Sequence, residues 1–188
     1  HLIKHCFLFL VFLSLFGASL FAVVSDKDEA LRLISSDSFR ASNFEKFSDE
    51  LKDDKEVVLA AVKEDGLNIE YASDRLKNDK EVFFASLNVY QQLAAKSSWS
   101  PLRYASDSLK DDKEVVLATV IYNGNHLKYA SDRLRNDKEV VLMAIKGIAS
   151  IDGDSSPLQY ASDSLKDDKE VVLAAIKQLP EAGAYTDP

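Results

Sequence analysis

Blocks of charged and apolar residues alternate along most of the chain. Each block opens with Ser-Asp-x-Leu, passes through a charged stretch that ends in Asp-Lys-Glu, and becomes apolar, as from Val57 to Val62. In the third block, Leu102, Ala105 and Leu109 lie at i, i+3 and i+7, which predicts a first amphipathic helix. The run after Asp-Lys-Glu predicts a second helix, apolar almost all round and therefore buried between neighbours.

Capping residues predict where these helices begin and end. Ser100 and Pro101 supply a serine cap and a proline at the first helical position, where its missing N–H costs nothing. Asp111 or Asp112 then ends the first helix and caps the second, with Glu114 completing a capping box. The same reasoning places Asn78 and Asn136 at the cap in the second and fourth copies.

The blocks are copies of one repeat. Asp-Lys-Glu-Val recurs five times, with spacings of 25, 33, 25 and 31 residues, beginning at Asp54, Asp79, Asp112, Asp137 and Asp168. Short and long units therefore alternate, in pairs of about 57 residues. A degenerate half copy at residues 26–34 precedes the first full copy and predicts an N-terminal cap.

A single hairpin cannot enclose its own apolar helix, whereas stacked hairpins can. We therefore predict an all-α protein, a short α-solenoid of stacked helical hairpins. The competing interpretation makes Val-Val-Leu a strand in a β-α repeat. The missing Leu-x-x-Leu-x-Leu signature and the capping box followed by Ala-Ala and Lys favour the helix.

The repeated phrase also resembles a known family. Tyr-Ala-Ser-x-x-Leu-(Lys/Arg)-(Asn/Asp)-Asp-Lys-Glu-Val-Val-Leu-Ala-Ala, matched across residues 45–178, is similar to the repeat family called domain of unknown function 4116. The first copy departs from it at Lys46 and Phe47, and the second at Phe83 and Phe84. The resemblance implies an α-helical repeat and brings no catalytic or ligand-binding residues.

The first 25 residues predict a separate segment. Lys4 precedes an uncharged run from Cys6 to Ser25 that ends in small residues, which is the layout of a secretory signal peptide cut after Ala22 or Ser25. An uncleaved membrane anchor is the alternative. We expect residues 1–25 to be this leader, residues 26–178 the repeat domain and residues 179–188 a C-terminal tail, with the protein secreted or on the envelope side.

Composition excludes several kinds of chemistry. The net charge of −8 makes nucleic acid a poor partner. Cys6 is the only cysteine, which excludes disulfides and thiolate nucleophiles from the repeats. His126, the only histidine beyond residue 5, is expected on the surface. Residues 152–163 fit a calcium loop poorly because Pro157 occupies the position that needs glycine. We therefore predict no catalytic residue, no cofactor and no metal site.

The expected function is binding without catalysis. Residues present in every copy are explained by folding, and we predict that the tyrosines pack between hairpins while the serines and aspartates cap helices. The insertions at residues 92–100 and 147–156 follow equivalent helices and should emerge on one side. The candidate surface for an unidentified protein partner comprises Phe83, Phe84, Tyr90 and Trp99, with Tyr90 and Trp99 as its anchor. The alternative is that Trp99 fills a gap between hairpins and the two phenylalanines thicken the core. A carboxylate-only hydrolase and a structural spacer are the alternatives.

Overall fold

The repeat folds as a stack of helical units. A computed structural model describes residues 23–36, 39, 41–93, 99–147 and 156–178. Most of the predicted leader, the tail at residues 179–188 and most of both insertions lie outside the described residues. Among the described residues, the regular elements are helical, which confirms the all-α solenoid and excludes the strand interpretation of Val-Val-Leu.

Each full unit contains a four-residue helix followed by a long one. The α-helices are α1 (Lys27–Ile34), α2 (Ala41–Phe44), α3 (Asp49–Lys52), α4 (Lys55–Glu64), α5 (Asp74–Lys77), α6 (Lys80–Leu93), α7 (Asp107–Lys110), α8 (Lys113–Val120), α9 (Asp132–Arg135), α10 (Lys138–Lys146), α11 (Asp163–Lys166) and α12 (Lys169–Gln178). Four 3₁₀ helices precede the short helices of copies two to five: η1 (Gly66–Tyr71), η2 (Pro101–Arg103), η3 (Gly124–Tyr129) and η4 (Pro157–Tyr160).

The first helix predicted for each hairpin is broken in two. In the third copy, η2 ends before Tyr104 and α7 starts at Asp107, so Leu102, Ala105 and Leu109 are buried without sharing one helix. Ser106 causes the break, because its extended backbone (φ −63°, ψ 161°) ends one element while its hydroxyl accepts the Leu109 N–H and starts the next. Ser-Asp is therefore a helix start.

The long helix of each unit is capped by the aspartate of Asp-Lys-Glu, and not by the Asp or Asn just before it. Asp112 Oδ1 accepts the Val115 N–H at 3.2 Å, while Asp111 closes the preceding short helix. Asp79 and Asp137 likewise cap α6 and α10, so the placement of Asn78 and Asn136 at the cap is wrong. With the cap at Asp112, Glu114 lies one residue too early for the predicted capping box.

The core runs along the stack between the long helices. Numbering from each capping aspartate as zero, positions three and four are valine or phenylalanine, and all except Val172 are buried. Position five is only half-buried in the first four copies, from Leu59 to Leu142. The long helices are therefore exposed along one edge and are not enclosed all round as predicted. Each large apolar side chain buried in the core contributes about 1.5–3 kcal/mol before entropy is subtracted.

Backbone hydrogen bonds join each unit to the one before it. The N–H of the capping serine donates to a carbonyl at the end of the previous short helix, as from Ser131 to Lys110 at 3.0 Å. The same bond recurs at Ser73, Ser106 and Ser162. Ser48 donates to Val24 at 2.8 Å, so the chain before α1 continues the series. No helix within the described ranges is long and apolar enough to cross a membrane.

Candidate functional site

The four aromatic residues predicted as a binding surface lie largely inside the protein. Phe83 and Tyr90 are buried, while Phe84 and Trp99 are half-buried. The Tyr90 ring lies 5.5 Å from the Trp99 ring, and a β-carbon at Gly66 would lie 3.0 Å from the tryptophan. Burial raises the pKa of Tyr90. These contacts favour packing for Tyr90, and binding by this group stays a prediction that depends on Phe84 and Trp99.

The prediction that His126 is on the surface is wrong. The side chain is 1% exposed, with its ring 5.5 Å from Tyr90 and 6.3 Å from Tyr129. Neither ring nitrogen has a hydrogen-bond partner among the described residues. Burial, assisted by the positive charge of Lys128, lowers the pKa of His126 to about 4, so the ring is neutral at physiological pH.

A ladder of ion pairs joins the long helices. The lysine after each cap reaches the capping aspartate and the following glutamate of the next unit. Lys80, for example, lies 2.8 Å from both Asp112 and Glu114. Equivalent pairs extend from Lys27, Lys55, Lys113 and Lys138. The hydrogen bond from Lys80 lowers the pKa of Asp112, and the two carboxylates raise the pKa of Lys80.

A second ladder alternates between two chemistries. In copies one and three, an aspartate accepts from the next unit's serine and arginine, as Asp111 accepts from Ser131 and, at 2.9 Å, from Arg133 Nε. In copies two and four, an asparagine accepts from two hydroxyls, as Asn136 accepts from Ser162 at 2.6 Å and Ser164 at 2.9 Å.

The hydrogen-bond donors of each unit therefore match the acceptor, aspartate or asparagine, at the end of the preceding unit's short helix. We call copies two and four arginine-type units, after Arg75 and Arg133, and copies three and five serine-type units, after Ser108 and Ser164. Arg75 faces Asp53 with Nε 3.0 Å from Oδ1, whereas Ser106 donates to Asn78 at 2.7 Å. The predicted capping role is confirmed for the serine of each Ser-Asp, which also bonds across the junction. Ser100, also predicted as a cap, precedes Pro101 but makes no side-chain capping hydrogen bond.

The described stack ends in an uncovered helix face. At position eight the side chain is at most 4% exposed in the first four copies, from Val62 to Ile145, because the next unit covers it. Its equivalent on α12, Ile176, is 56% exposed, and Val172 at position four is half-buried where its four equivalents are fully buried. We call this surface the C-terminal face: Asp167, Lys169, Val172, Leu173 and Ile176.

An open groove of about 640 Å³ adjoins this face, between α10 and α12. Leu142 and Leu173 line it, and Leu173 is 46% exposed. Lys146, Lys169 and Lys177 also line the groove, and none of them forms an ion pair with a described residue. The groove thus combines apolar surface with these three lysines, and the ion pairs of Lys138 with Asp168 and Glu170 also line it.

Sequence reasoning missed this face although its signal was present. Position eight is apolar in all five copies, which indicates burial, and residues 177–188 contain no further Asp-Lys-Glu motif. Comparing the last copy with the others would have identified the residue. The described residues contain no cluster of three metal-ligating side chains, and residues 152–155 of the rejected calcium loop lie outside them.

These features define an α-solenoid protein, in which short helical units stack through repeated junctions. The model of a family described as a domain of unknown function (DUF4116) matches residues 26–69, 54–91, 112–153 and 148–187, and the chain belongs to that family. No curated protein and no solved structure matches the chain.

Proposed function

We propose that the protein is a non-catalytic binding module that works after export, and that its C-terminal face holds a protein partner. The exposure of Ile176 carries the proposal, because the same position is buried in each earlier copy. Contiguous apolar surface of this kind marks interaction sites on soluble proteins. The lysines beside the face would orient an acidic or polar rim of the partner.

Binding without catalysis is supported by how the repeated polar residues are used. The serine and aspartate of each unit bond to helix N-termini or to a neighbouring unit, which accounts for their presence in every copy. The strongly shifted pKa of His126 belongs to a ring buried among aromatic side chains. A shifted pKa in such packing has a structural cause.

Export is supported by the leader-like sequence before Val23. Val24 takes part in the first junction, because its carbonyl accepts from Ser48 at 2.8 Å. A cut after Ala22 preserves that bond, whereas a cut after Ser25 removes it. We therefore propose Ala22 as the last residue of the leader.

The proposal is tested with two matched variants of the immobilised protein. Ile176→Lys places a charge on the C-terminal face, and Ile121→Lys places one at a residue that is 47% exposed elsewhere. Proteins secreted by the same cells are passed over both, and bound material is quantified against concentration. We expect saturable binding to the wild type and Ile121→Lys, with at least about a tenfold loss for Ile176→Lys. Equal binding to both variants, or none to any form, contradicts the proposal.

A further inference from the structure

We propose that the C-terminal face receives a further repeat unit of the arginine type, supplied by a partner that carries the same repeat. This inference rests on the binding function proposed above and names the chemistry of the partner. It starts from the apolar contacts. Val172 and Ile176 repeat the positions that the following unit covers in copies one to four, so a stacked unit fits them without rearrangement.

Polar groups at the same face match what a following unit supplies. Lys169 is the equivalent of Lys138, which reaches Asp168 at 2.9 Å and Glu170 at 2.9 Å, yet it forms no ion pair with a described residue. The carbonyl of Lys166 is equivalent to that of Lys110, which accepts from Ser131. No described residue donates to the Lys166 carbonyl. Each interrupted bond is restored by a unit with Ser-Asp and Asp-Lys-Glu in the usual spacing.

Asp167 selects the type of unit. The two earlier aspartates at this position, Asp53 and Asp111, each accept from a serine and an arginine of the next unit. The asparagines in the other two copies accept from serines. A guanidinium forms a charge-assisted hydrogen bond with a carboxylate, whereas a serine-type unit leaves the Asp167 carboxylate without a cation.

Two other occupants fit the face less well. Residues 179–188 contain no lysine or arginine, so they offer Asp167 no cation. A second copy of the chain would present Asp26 and Asp28 to Lys169. Four residues before Asp26, the cap of α1, the sequence has Ala22, whereas an arginine-type unit has Arg75 or Arg133 at the same position. Both occupants could cover Ile176, but neither supplies a cation to the Asp167 carboxylate.

The test appends an arginine-type unit to the complete chain. A flexible linker of about 15 residues joins residue 188 to a second copy of the sequence of residues 124–146, which gives the added unit a high effective concentration. Amide hydrogen exchange of α12 reports whether the face is covered. We expect exchange across Lys169–Gln178 to slow by about tenfold or more relative to the unextended chain.

Specificity is measured with single changes in the extended chain. Replacing the appended arginine that corresponds to Arg133 by serine should reduce the slowing of α12 exchange several-fold. Asp167→Asn opposite the unchanged arginine-type unit should have the same effect. With serine in the appended unit, Asp167→Asn should have a smaller effect, which makes the two changes a double-mutant cycle. Equal slowing by both unit types overturns the inference, and so does no slowing.

The unextended chain provides the remaining outcomes. If α12 exchange slows as protein concentration rises, a second copy covers the face. If deletion of residues 179–188 speeds exchange of α12 in dilute protein, those residues cover the face. Either result overturns the inference. Binding of a secreted protein that depends on Ile176 without any preference for an arginine-type unit would leave the proposed function intact and reject only this choice of partner.

Discussion

Burial of His126 makes the stability of the protein depend on pH. The folded chain holds the ring among aromatic side chains with a pKa of about 4, whereas the ordinary value is 6.5. Between these values the unfolded chain binds a proton that the folded chain does not, so stability is complete above pH 6.5 and is lost as pH falls toward 4.

We expect the wild type to lose about 2–3 kcal/mol of unfolding free energy from this residue between pH 7.5 and 4.5. His126→Phe keeps a ring between Tyr90 and Tyr129 and should lack this loss. Urea denaturation of both proteins at the two pH values measures the difference. Carboxylates titrate equally in both, so parallel pH profiles would show that His126 is not the cause.

Two glycines permit a 3₁₀ helix to approach the long helix of its own unit closely. A β-carbon at Gly124 would lie 2.0 Å from the Ala144 carbonyl oxygen and 2.5 Å from Pro157, whereas at Gly66 the closest atom, the Ser86 oxygen, is 2.9 Å away. We expect Gly124→Ala to destabilise the protein by about 2–3 kcal/mol and Gly66→Ala by less. Thermal or urea unfolding of both variants checks the order, and an equal cost would contradict the closer approach at Gly124.

At the scale of elements, the helical class and the repeat were predictable, but the internal break was not. Capping residues and apolar spacing indicated two helices in each copy, whereas the structure divides the first into a 3₁₀ helix and a four-residue α-helix in copies two to five. The spacing of Leu102, Ala105 and Leu109 also fits one continuous helix, and it hid the extended backbone of Ser106. Serine can occupy a helix interior or a cap, and only the junction with the previous unit selects the cap here.

The capping aspartate of a long helix has two separable roles. Asp112 accepts the Val115 N–H and pairs with Lys80. Asp112→Asn keeps a capping side chain but loses the ion pair, while Asp112→Ala loses both. We expect a cost of about 1–2 kcal/mol for alanine and less for asparagine. Urea denaturation measures both costs, and 1 M salt should reduce each of them by about the same amount, because both variants lose the ion pair with Lys80. An equal cost in both variants would mean that capping contributes nothing.

At the scale of the whole molecule, the two ends of the stack differ. Ala30 and Ile34 of α1 are covered by the first full unit, while α12 exposes Ile176. Sequence alone predicted the cap at residues 26–34 from its degenerate Asp-Lys motif. It could not place Tyr90 inside, because exposure at an aromatic position depends on which unit lies beside it.

Removal of the leader should leave Val23 as the first residue. The complete chain, expressed with an added start methionine in a secreting host, is recovered from the medium and its N-terminus is determined by mass spectrometry. Ala22→Arg should block cleavage there, since the cleavage site needs a small residue. Recovery of the wild type in the membrane fraction, with residues 1–22 retained, would instead indicate an anchor.

The alternation of arginine-type and serine-type units constrains how such a gene can lengthen. Tandem duplication of one unit sets Asp against Ser, or Asn against Arg, at a new junction. Duplication of two adjacent units recreates only junctions that already exist, such as Asp111 with Arg133 and Asn136 with Ser164. Related chains should therefore differ in length by multiples of about 57 residues more often than by single units of 25–33 residues. Counting the repeats in related sequences would test this preference.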